Sequence, residues 1–110
     1  MTATEKHFVC ATSDIELDDI HAFEHGGRLY AIYRTEDDAF FATDGLCSHE
    51  QVSLADGLLD GHLIECPRHN GLFDICTGKA LRAPACIDLQ TYELTIEDGG
   101  IYIHLPHDVV

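Results

Sequence analysis

The sequence predicts an all-β fold, either an antiparallel sandwich or a small barrel. Short runs rich in β-branched and aromatic residues recur along the chain, and turn dipeptides separate them at regular intervals. No stretch keeps a helical period for longer than about ten residues. The 110 residues are 45% apolar and include no low-complexity segment. We therefore expect residues 1–110 to form one domain with a modest core.

The first half of the chain supplies three predicted strands. They are HFVCAT (7–12), GRLYAIYRT (27–35) and FFAT (40–43). Their density of β-branched and aromatic side chains favours extended structure. A turn at Gly26-Gly27 marks the start of the second strand, because paired glycines tolerate tight turns.

The clearest element is a hairpin near the end of the chain, YELTIEDGGIYIHL (92–105). Leu94 and Ile96 alternate with polar residues before an Asp-Gly-Gly turn, and Ile101 and Ile103 alternate after it. This pattern predicts two half-buried strands joined by a tight turn.

Residues 44–85 carry turn signals in place of strand patterns, at Asp56-Gly57, Asp60-Gly61 and Thr77-Gly78. We expect this segment to be an insertion of loops between the early strands and the final hairpin. Residues 47–85 contain five acidic and three basic residues, a net charge of −2 out of the −14 of the whole chain. The remaining residues therefore carry −12, so the insertion sits on a strongly acidic support.

The charge balance limits the possible partners. The chain has 20 Asp and Glu residues against 6 Lys and Arg residues, which gives a formal net charge of −14. Such a charge disfavours nucleic acid and anionic membranes, since phosphate binding needs the opposite sign. It favours a partner with a basic patch. No run approaches the roughly 20 apolar residues of a membrane span, and the amino terminus lacks a signal-peptide pattern, so we expect a cytoplasmic protein.

A 23-residue stretch, CSHEQVSLADGLLDGHLIECPRH (47–69), contains two Cys/His pairs. Cys47 and His49 are separated by one residue, and Cys66 and His69 by two. Thiolate and imidazole together bind zinc or iron. Structural zinc sites draw thiolates from C-x(2–4)-C turns, and this chain has no C-x-x-C. A two-iron cluster explains one Cys and one His per loop better, because two thiolates can bind one iron and two imidazoles the other.

These residues carry a resemblance to a known family. C-S-H (47–49) with C-P-R-H (66–69) resembles the C-x-H…C-x-x-H signature of Rieske [2Fe–2S] proteins. The run NGLFDICTGKALRAPA (70–85) is similar to the family's second cluster loop and the proline-containing loop behind it. The whole chain resembles the small Rieske ferredoxins of bacterial aromatic-ring dioxygenase systems, the naphthalene type in particular.

The resemblance implies a fold and a ligand set. It implies a Rieske fold in which an antiparallel β-sandwich base carries a small cluster-binding subdomain, here about residues 44–85. One [2Fe–2S] cluster would be bound by Cys47 and Cys66 at one iron and by His49 and His69 at the other. Pro84 would lie in the loop that covers the cluster.

The resemblance also implies a role. The chain would be a soluble one-electron carrier between an NAD(P)H-dependent flavin reductase and a terminal aromatic-ring oxygenase, a monomer and not itself an enzyme. Respiratory Rieske proteins tie their cluster loops with a disulfide, whose positions are Val52 and Arg68 here. Residues 71–73 also lack the hydroxyls that hydrogen-bond the respiratory cluster. We therefore predict a potential near the lower end of the Rieske range, about −150 mV.

Two other functions remain open on the residues. A Rieske-like small subunit fixed in a larger oxidoreductase complex would share this pattern, and a structural zinc-binding module could use the same side chains. A Rieske oxygenase would need a further mononuclear iron and a substrate cavity, for which the chain is too short.

Other motifs are interpreted without function. HAFEH (21–25) matches the inverted zinc-protease motif H-x-x-E-H, but Gly26-Gly27 ends the segment at once, so we expect a surface strand with solvated histidines. The spare thiols are expected to be small buried hydrophobes in preference to a Cys76–Cys86 disulfide. They are Cys10, Cys76 and Cys86. The scattered histidines are expected to be ordinary surface or hairpin residues; they are His7, His62, His104 and His107.

Overall fold

Eleven β-strands and two single-turn 3-10 helices form the part of the chain that the computed structural model describes, residues 4–48, 51–68, 71–83 and 87–106. The strands are β1 (Thr4–Ala11), β2 (Asp19–His25), β3 (Arg28–Arg34), β4 (Phe40–Asp44), β5 (Leu58–Asp60), β6 (Leu63–Glu65), β7 (Leu72–Asp74), β8 (Ala80–Arg82), β9 (Thr91–Tyr92), β10 (Leu94–Glu97) and β11 (Gly100–Pro106). The 3-10 helices are Thr12–Asp14 and Leu54–Asp56. The predicted all-β class is confirmed.

The strands pair into three antiparallel sheets. The first has the order β1-β11-β10, the second β2-β3-β4-β9 and the third β5-β6-β7-β8. The third sheet corrects the expectation that residues 44–85 form loops only. Its strands are three residues long, which is too short for an alternating pattern to stand out from the surrounding turns.

Strand β3 is the centre of the molecule because it is buried on both faces. Tyr30 and Ile32 face a core between the first and second sheets, whereas Ala31 and Tyr33 face a core between the second and third sheets. This double burial explains why LYAIY is a continuous apolar run. We call the first the base core; it consists of Cys10, Ile15, Tyr30, Ile32, Ala42, Ile101, Ile103 and Leu105. We call the second the loop-side core; it consists of Ala31, Tyr33, Cys47, Leu54, Leu59, Ile64, Cys66, Phe73, Ile75 and Leu89.

Both predicted tight turns are present. The hairpin of β10 and β11 pairs Leu94 with Ile103 and turns at Asp98 and Gly99, whose φ angles are 50° and 75°. Gly26 and Gly27 join β2 to β3 with φ angles of 60° and 79°. Positive φ at both central residues matches the right-handed twist of the flanking strands, and glycine adopts it without a steric penalty.

The segment HAFEH lies in β2, as the sequence predicts. It pairs along its whole length with β3, from Asp19 opposite Arg34 to His25 opposite Arg28. In an extended strand this spacing cannot form the helical face that the zinc-protease motif requires. Within the described ranges, no helix is long and apolar enough to cross a membrane.

Candidate metal centre

Cys47 begins a closed turn that leaves the second sheet. Its backbone N–H donates to the carbonyl of Val52 at 2.9 Å, and the N–H of Leu54 donates to the carbonyl of Gly45 at 2.8 Å. An isolated antiparallel bridge between Leu46 and Ser53 completes the closure. Cys47 is only 1% exposed, so this turn places a cysteine inside the protein.

Cys66 begins a second turn of the same size between β6 and β7. Its N–H donates to the carbonyl of Gly71 at 2.7 Å, and the pair of Glu65 with Leu72 precedes it in the hairpin. Cys66 is also 1% exposed. In each turn the cysteine N–H bonds to the carbonyl five residues later, so the two turns present their thiols by the same local device.

The two thiols belong to one hydrophobic cluster, the loop-side core. Gly57 allows the close approach that brings the turns together. A Cβ at Gly57 would lie 2.2 Å from the carbonyl oxygen of Glu65, so any other residue would push the first turn away from β6. Val52 also packs against this core, at one of the two positions where respiratory proteins have the disulfide cysteines. Arg68, at the other position, is exposed.

A third segment lies beside the first turn. The Ser48 hydroxyl donates to the carbonyl of Ile87 at 2.5 Å. Residues 87–90 are themselves held by Leu89, whose N–H donates to the carbonyl of Gly78 at 2.7 Å. A Cβ at Gly78 would lie 2.1 Å from the Leu89 carbonyl oxygen, and its φ of 80° also requires glycine. These contacts connect the first turn, the strap 87–90 and the turn after β7.

The structure does not describe every predicted site residue. His49, His69 and Pro84 lie outside the described residues, and so does Cys86. The structure therefore brings together the two predicted cysteine ligands and leaves the predicted histidine ligands untested. Among the residues it describes, it forms no group of three or more Cys, His, Asp or Glu side chains suited to a metal ion.

The spare cysteines that the structure describes differ in their exposure to solvent. Cys10 is 7% exposed and belongs to the base core, which confirms the prediction of a small buried hydrophobe. The same prediction is wrong for Cys76, which is exposed. Its Sγ lies 3.2 Å from Nδ1 of His62, whose Nε2 lies 3.3 Å from Oδ1 of Asp37. Sequence reasoning missed this cluster because 14 residues separate the first pair and 25 the second.

The donor set fits an iron–sulfur cluster. Thiolates bind such clusters, and an apolar environment controls solvent access and the potential. Cys47 and Cys66 meet both conditions, because their thiols share one water-excluding core and stand at the start of matched turns. The sequence of each turn also contains one histidine.

Comparisons with known proteins agree with this interpretation along the chain. The Rieske [2Fe-2S] domain family matches residues 5–93. The ferredoxin component of the naphthalene 1,2-dioxygenase system of Pseudomonas putida is 43% identical over 95 residues, which cover 86% of this chain and 90% of that protein. The Sphingomonas yanoikuyae B1 ferredoxin superposes with a TM-score of 0.87 at 39% identity, covering 93% of this chain and 100% of that one.

A third likeness is to a chain from a complex of reduced oxygenase and oxidised ferredoxin in carbazole 1,9a-dioxygenase. The TM-score is 0.84 at 36% identity, over 89% of this chain and 91% of that one. The matched length, the fold and the pair of buried thiols lead to one conclusion. This chain belongs to the Rieske [2Fe-2S] domain family.

Proposed function

We propose that the protein is the ferredoxin component of an aromatic-ring dioxygenase system. It carries one electron at a time on a Rieske [2Fe–2S] cluster, from an NAD(P)H-dependent flavin reductase to a terminal oxygenase, and it performs no bond chemistry on the substrate. The observation that carries this proposal is the pair of buried thiols in matched turns. Relatives named ferredoxin components, similar over 86% of the chain, support the role.

Four residues would bind the cluster. Cys47 and Cys66 would bind one iron, and His49 and His69 the other. When bound, the cluster supplies reversible one-electron transfer, and its His-ligated iron is the easier to reduce because imidazole is neutral. The subdomain of about residues 44–85 would serve as the binding unit of a single domain, 1–110. All strands of the third sheet, from Leu58 to Arg82, lie within that subdomain.

The described side chains around the thiols would keep water out and the turns fixed. Phe73 and Ile64 are 0% exposed and pack in the same core as the two cysteines. The hydrogen bond from Ser48 to the Ile87 carbonyl ties the first turn to its neighbour. A dry, rigid environment lowers the reorganisation that accompanies electron transfer, since fewer dipoles must move when the charge changes.

Both the charge of the chain and its relatives support the proposed partners. A chain with a net charge of −14 would be steered toward basic surfaces on a reductase and an oxygenase, and away from nucleic acid and anionic membranes. We propose a cytoplasmic monomer that makes brief encounters. Reduction by the cognate reductase should slow as salt screens the charges, with a Debye length of about 8 Å at physiological ionic strength. A rate independent of ionic strength would contradict the steering.

The decisive experiment is an EPR spectrum of the dithionite-reduced protein, followed by a redox titration of the same signal. A low average g-value, characteristic of mixed Cys/His ligation, with a midpoint potential of about −150 mV supports a low-potential carrier. A strongly positive midpoint would place the protein in a quinol-linked chain. No signal, with one zinc per chain, would overturn electron transfer. Purification only as part of a larger assembly would favour the fixed-subunit alternative.

A further inference from the structure

A second cluster of reactive side chains lies at the open end of the β6–β7 hairpin. His62 immediately precedes β6 and Cys76 follows β7, so antiparallel pairing brings them side by side. The N–H of Ile75 donates to the carbonyl of His62 at 3.0 Å and fixes this end. The turn that begins at Cys66 lies at the other end of the same hairpin. The cluster is therefore separate from the proposed iron site.

Three side chains from three turns form a hydrogen-bonded array. Cys76 Sγ is 3.2 Å from His62 Nδ1, and His62 Nε2 is 3.3 Å from Asp37 Oδ1. Asp37 comes from the turn between β3 and β4, in the second sheet, whereas the other two come from the third sheet. A thiol, an imidazole and a carboxylate in this order can move a proton from sulfur to nitrogen.

The hydrogen bonds determine which imidazole nitrogen carries the proton. The Thr35 hydroxyl donates to Asp37, and this bond, followed by the bond with His62, lowers the pKa of the Asp37 carboxyl. The carboxylate is therefore ionised at neutral pH and can only accept. His62 Nε2 must donate to it, which leaves the lone pair of Nδ1 facing the thiol.

Neighbouring groups hold the thiol and the ring in place. The N–H groups of Cys76 and Thr77 both donate to Asp74 Oδ1, at 2.8 and 3.3 Å. The Phe41 ring packs on the imidazole of His62 with centroids 5.2 Å apart. The ring is thus oriented by a carboxylate at one edge and an aromatic face beside it, while Cys76 stays exposed.

The groups around Cys76 favour thiol–disulfide exchange over acyl transfer. Burial, then the charge of Asp74 and its hydrogen bond with the thiol, and last the charge of Asp37, raise the pKa of the Cys76 thiol. The sulfur is therefore protonated at neutral pH and needs a base in order to attack. The N–H groups of Cys76 and Thr77 are already bonded to Asp74, so they cannot stabilise the oxyanion of an acyl transfer. Thiol–disulfide exchange needs no oxyanion site.

We propose that Cys76 is a modification site that forms a mixed disulfide with a small disulfide lacking negative charge, with His62 as the general base and Asp37 as a positioning residue. The Cys76 Sγ bonds to one sulfur of the reagent and the reagent S–S bond breaks. The thiol proton passes to His62 Nδ1 and then to the departing thiolate. The disulfide is the oxidant, so no further reactant is required. The nearby carboxylates disfavour anionic disulfides by repulsion.

The test is the rate of reaction of the cluster-loaded protein with bis(2-hydroxyethyl) disulfide, followed by intact mass in a Cys86→Ser background. We expect one adduct, which peptide mapping locates at Cys76 and which Cys76→Ser abolishes. His62→Gln should slow the reaction at neutral pH on the order of tenfold or more, because the base is lost. His25→Gln, which removes another exposed imidazole, should leave the rate unchanged.

Two further readouts separate the array from a merely structural role. In the parent protein the reaction rate should change little with pH at pH values below the pKa of the thiol. In His62→Gln the rate should instead rise about tenfold per pH unit, in step with thiolate formation. Asp37→Ala should slow the reaction, and Asp37→Asn should restore much of it because the amide oxygen still accepts from Nε2. Equal rates for the parent and His62→Gln proteins, or an adduct at another cysteine, would overturn the proposal.

Discussion

The two cores on either side of β3 are built differently. The base core lies between long strands, such as β3 and β11 with seven residues each, and its buried side chains are mainly branched aliphatic and aromatic. The loop-side core lies against strands of three residues, and two of its members are the thiols of Cys47 and Cys66. We therefore expect the base to be stable through apolar burial alone, and the loop side to depend on the cluster that the two thiols are proposed to bind.

The difference suggests that the two sides of β3 respond differently to loss of the cluster. Strand β3 contributes Tyr30 and Ile32 to the base core, and it presents Ala31 and Tyr33 as one wall of the loop-side core. Metal sites whose ligands belong to the core couple cluster binding to local folding. The expectation is that cluster loss damages one side of β3 and spares the other.

Replacement of a thiol ligand should have the largest effect. Cys47→Ser or Cys66→Ser should abolish the iron and acid-labile sulfide content, because a hydroxyl does not replace a thiolate at such a cluster. The β-type circular dichroism of the base should persist. Cys10→Ser provides the matched control, since Cys10 is also a buried thiol but lies in the base core. Full iron content in Cys47→Ser would remove Cys47 from the proposed ligand set.

Removal of the cluster should destabilise the loop side of the molecule and leave the base intact. In amide hydrogen exchange of the cluster-free protein, β5 to β8 should lose protection while β1, β3 and β11 retain it. The physical reason is that three-residue strands bury too little surface to stay paired once the cluster is removed. A uniform loss of protection across all three sheets would show that the cores fold as a single unit.

Cavity-creating substitutions should cost similar free energy but differ in their effect on the site. Phe73→Ala in the loop-side core should reduce the free energy of unfolding by about 3–5 kcal/mol, and Ile103→Ala in the base core by about 2–5 kcal/mol, since both side chains are fully buried. Only Phe73→Ala should also accelerate cluster loss, measured by the bleaching of visible absorbance. Ile96→Ala, at a position 46% exposed, is the control for both.

Alkaline pH should have the smallest effect on the free energy of unfolding, and the effect should involve one tyrosine on each side of β3. Burial raises the pKa of Tyr33 above its ordinary 10.0, and burial together with the Asp44 carboxylate raises that of Tyr92. Both pKa values are higher in the folded than in the unfolded chain. Their stabilisation is therefore complete below about pH 10 and lost as the pH rises further.

Tyr33 lies in the loop-side core and Tyr92 packs against the base core, so each reports on its own side. Tyr33→Phe should cost about 1 kcal/mol at neutral pH through the lost hydrogen bond with Thr43, whose oxygens are 2.9 Å apart. Each Phe variant should flatten the fall of unfolding free energy measured at roughly pH 9 to 11. If the unfolding free energy fell equally steeply with pH in both variants, these two tyrosines would not be its cause.

The amino-acid sequence was enough to predict the all-β class, the turns at Gly26-Gly27 and Asp98-Gly99, the long strands and the two cysteines of the candidate site. Each of these depends on local information. Positive φ demands particular residues, alternation over many residues marks a half-buried strand, and fixed Cys/His spacings define the turns that hold a cluster.

The other features became visible only in the folded structure. Three-residue strands are too short for an alternating hydrophobic pattern to be recognised in the sequence. The third sheet was therefore identified only from the pairing of its strands in the structure. The division of LYAIY between two cores depends on which sheets cover β3. The array of Cys76, His62 and Asp37 joins residues from three separate turns, and no spacing rule anticipates it. Contacts between distant segments are set by how sheets stack, which the local sequence does not encode.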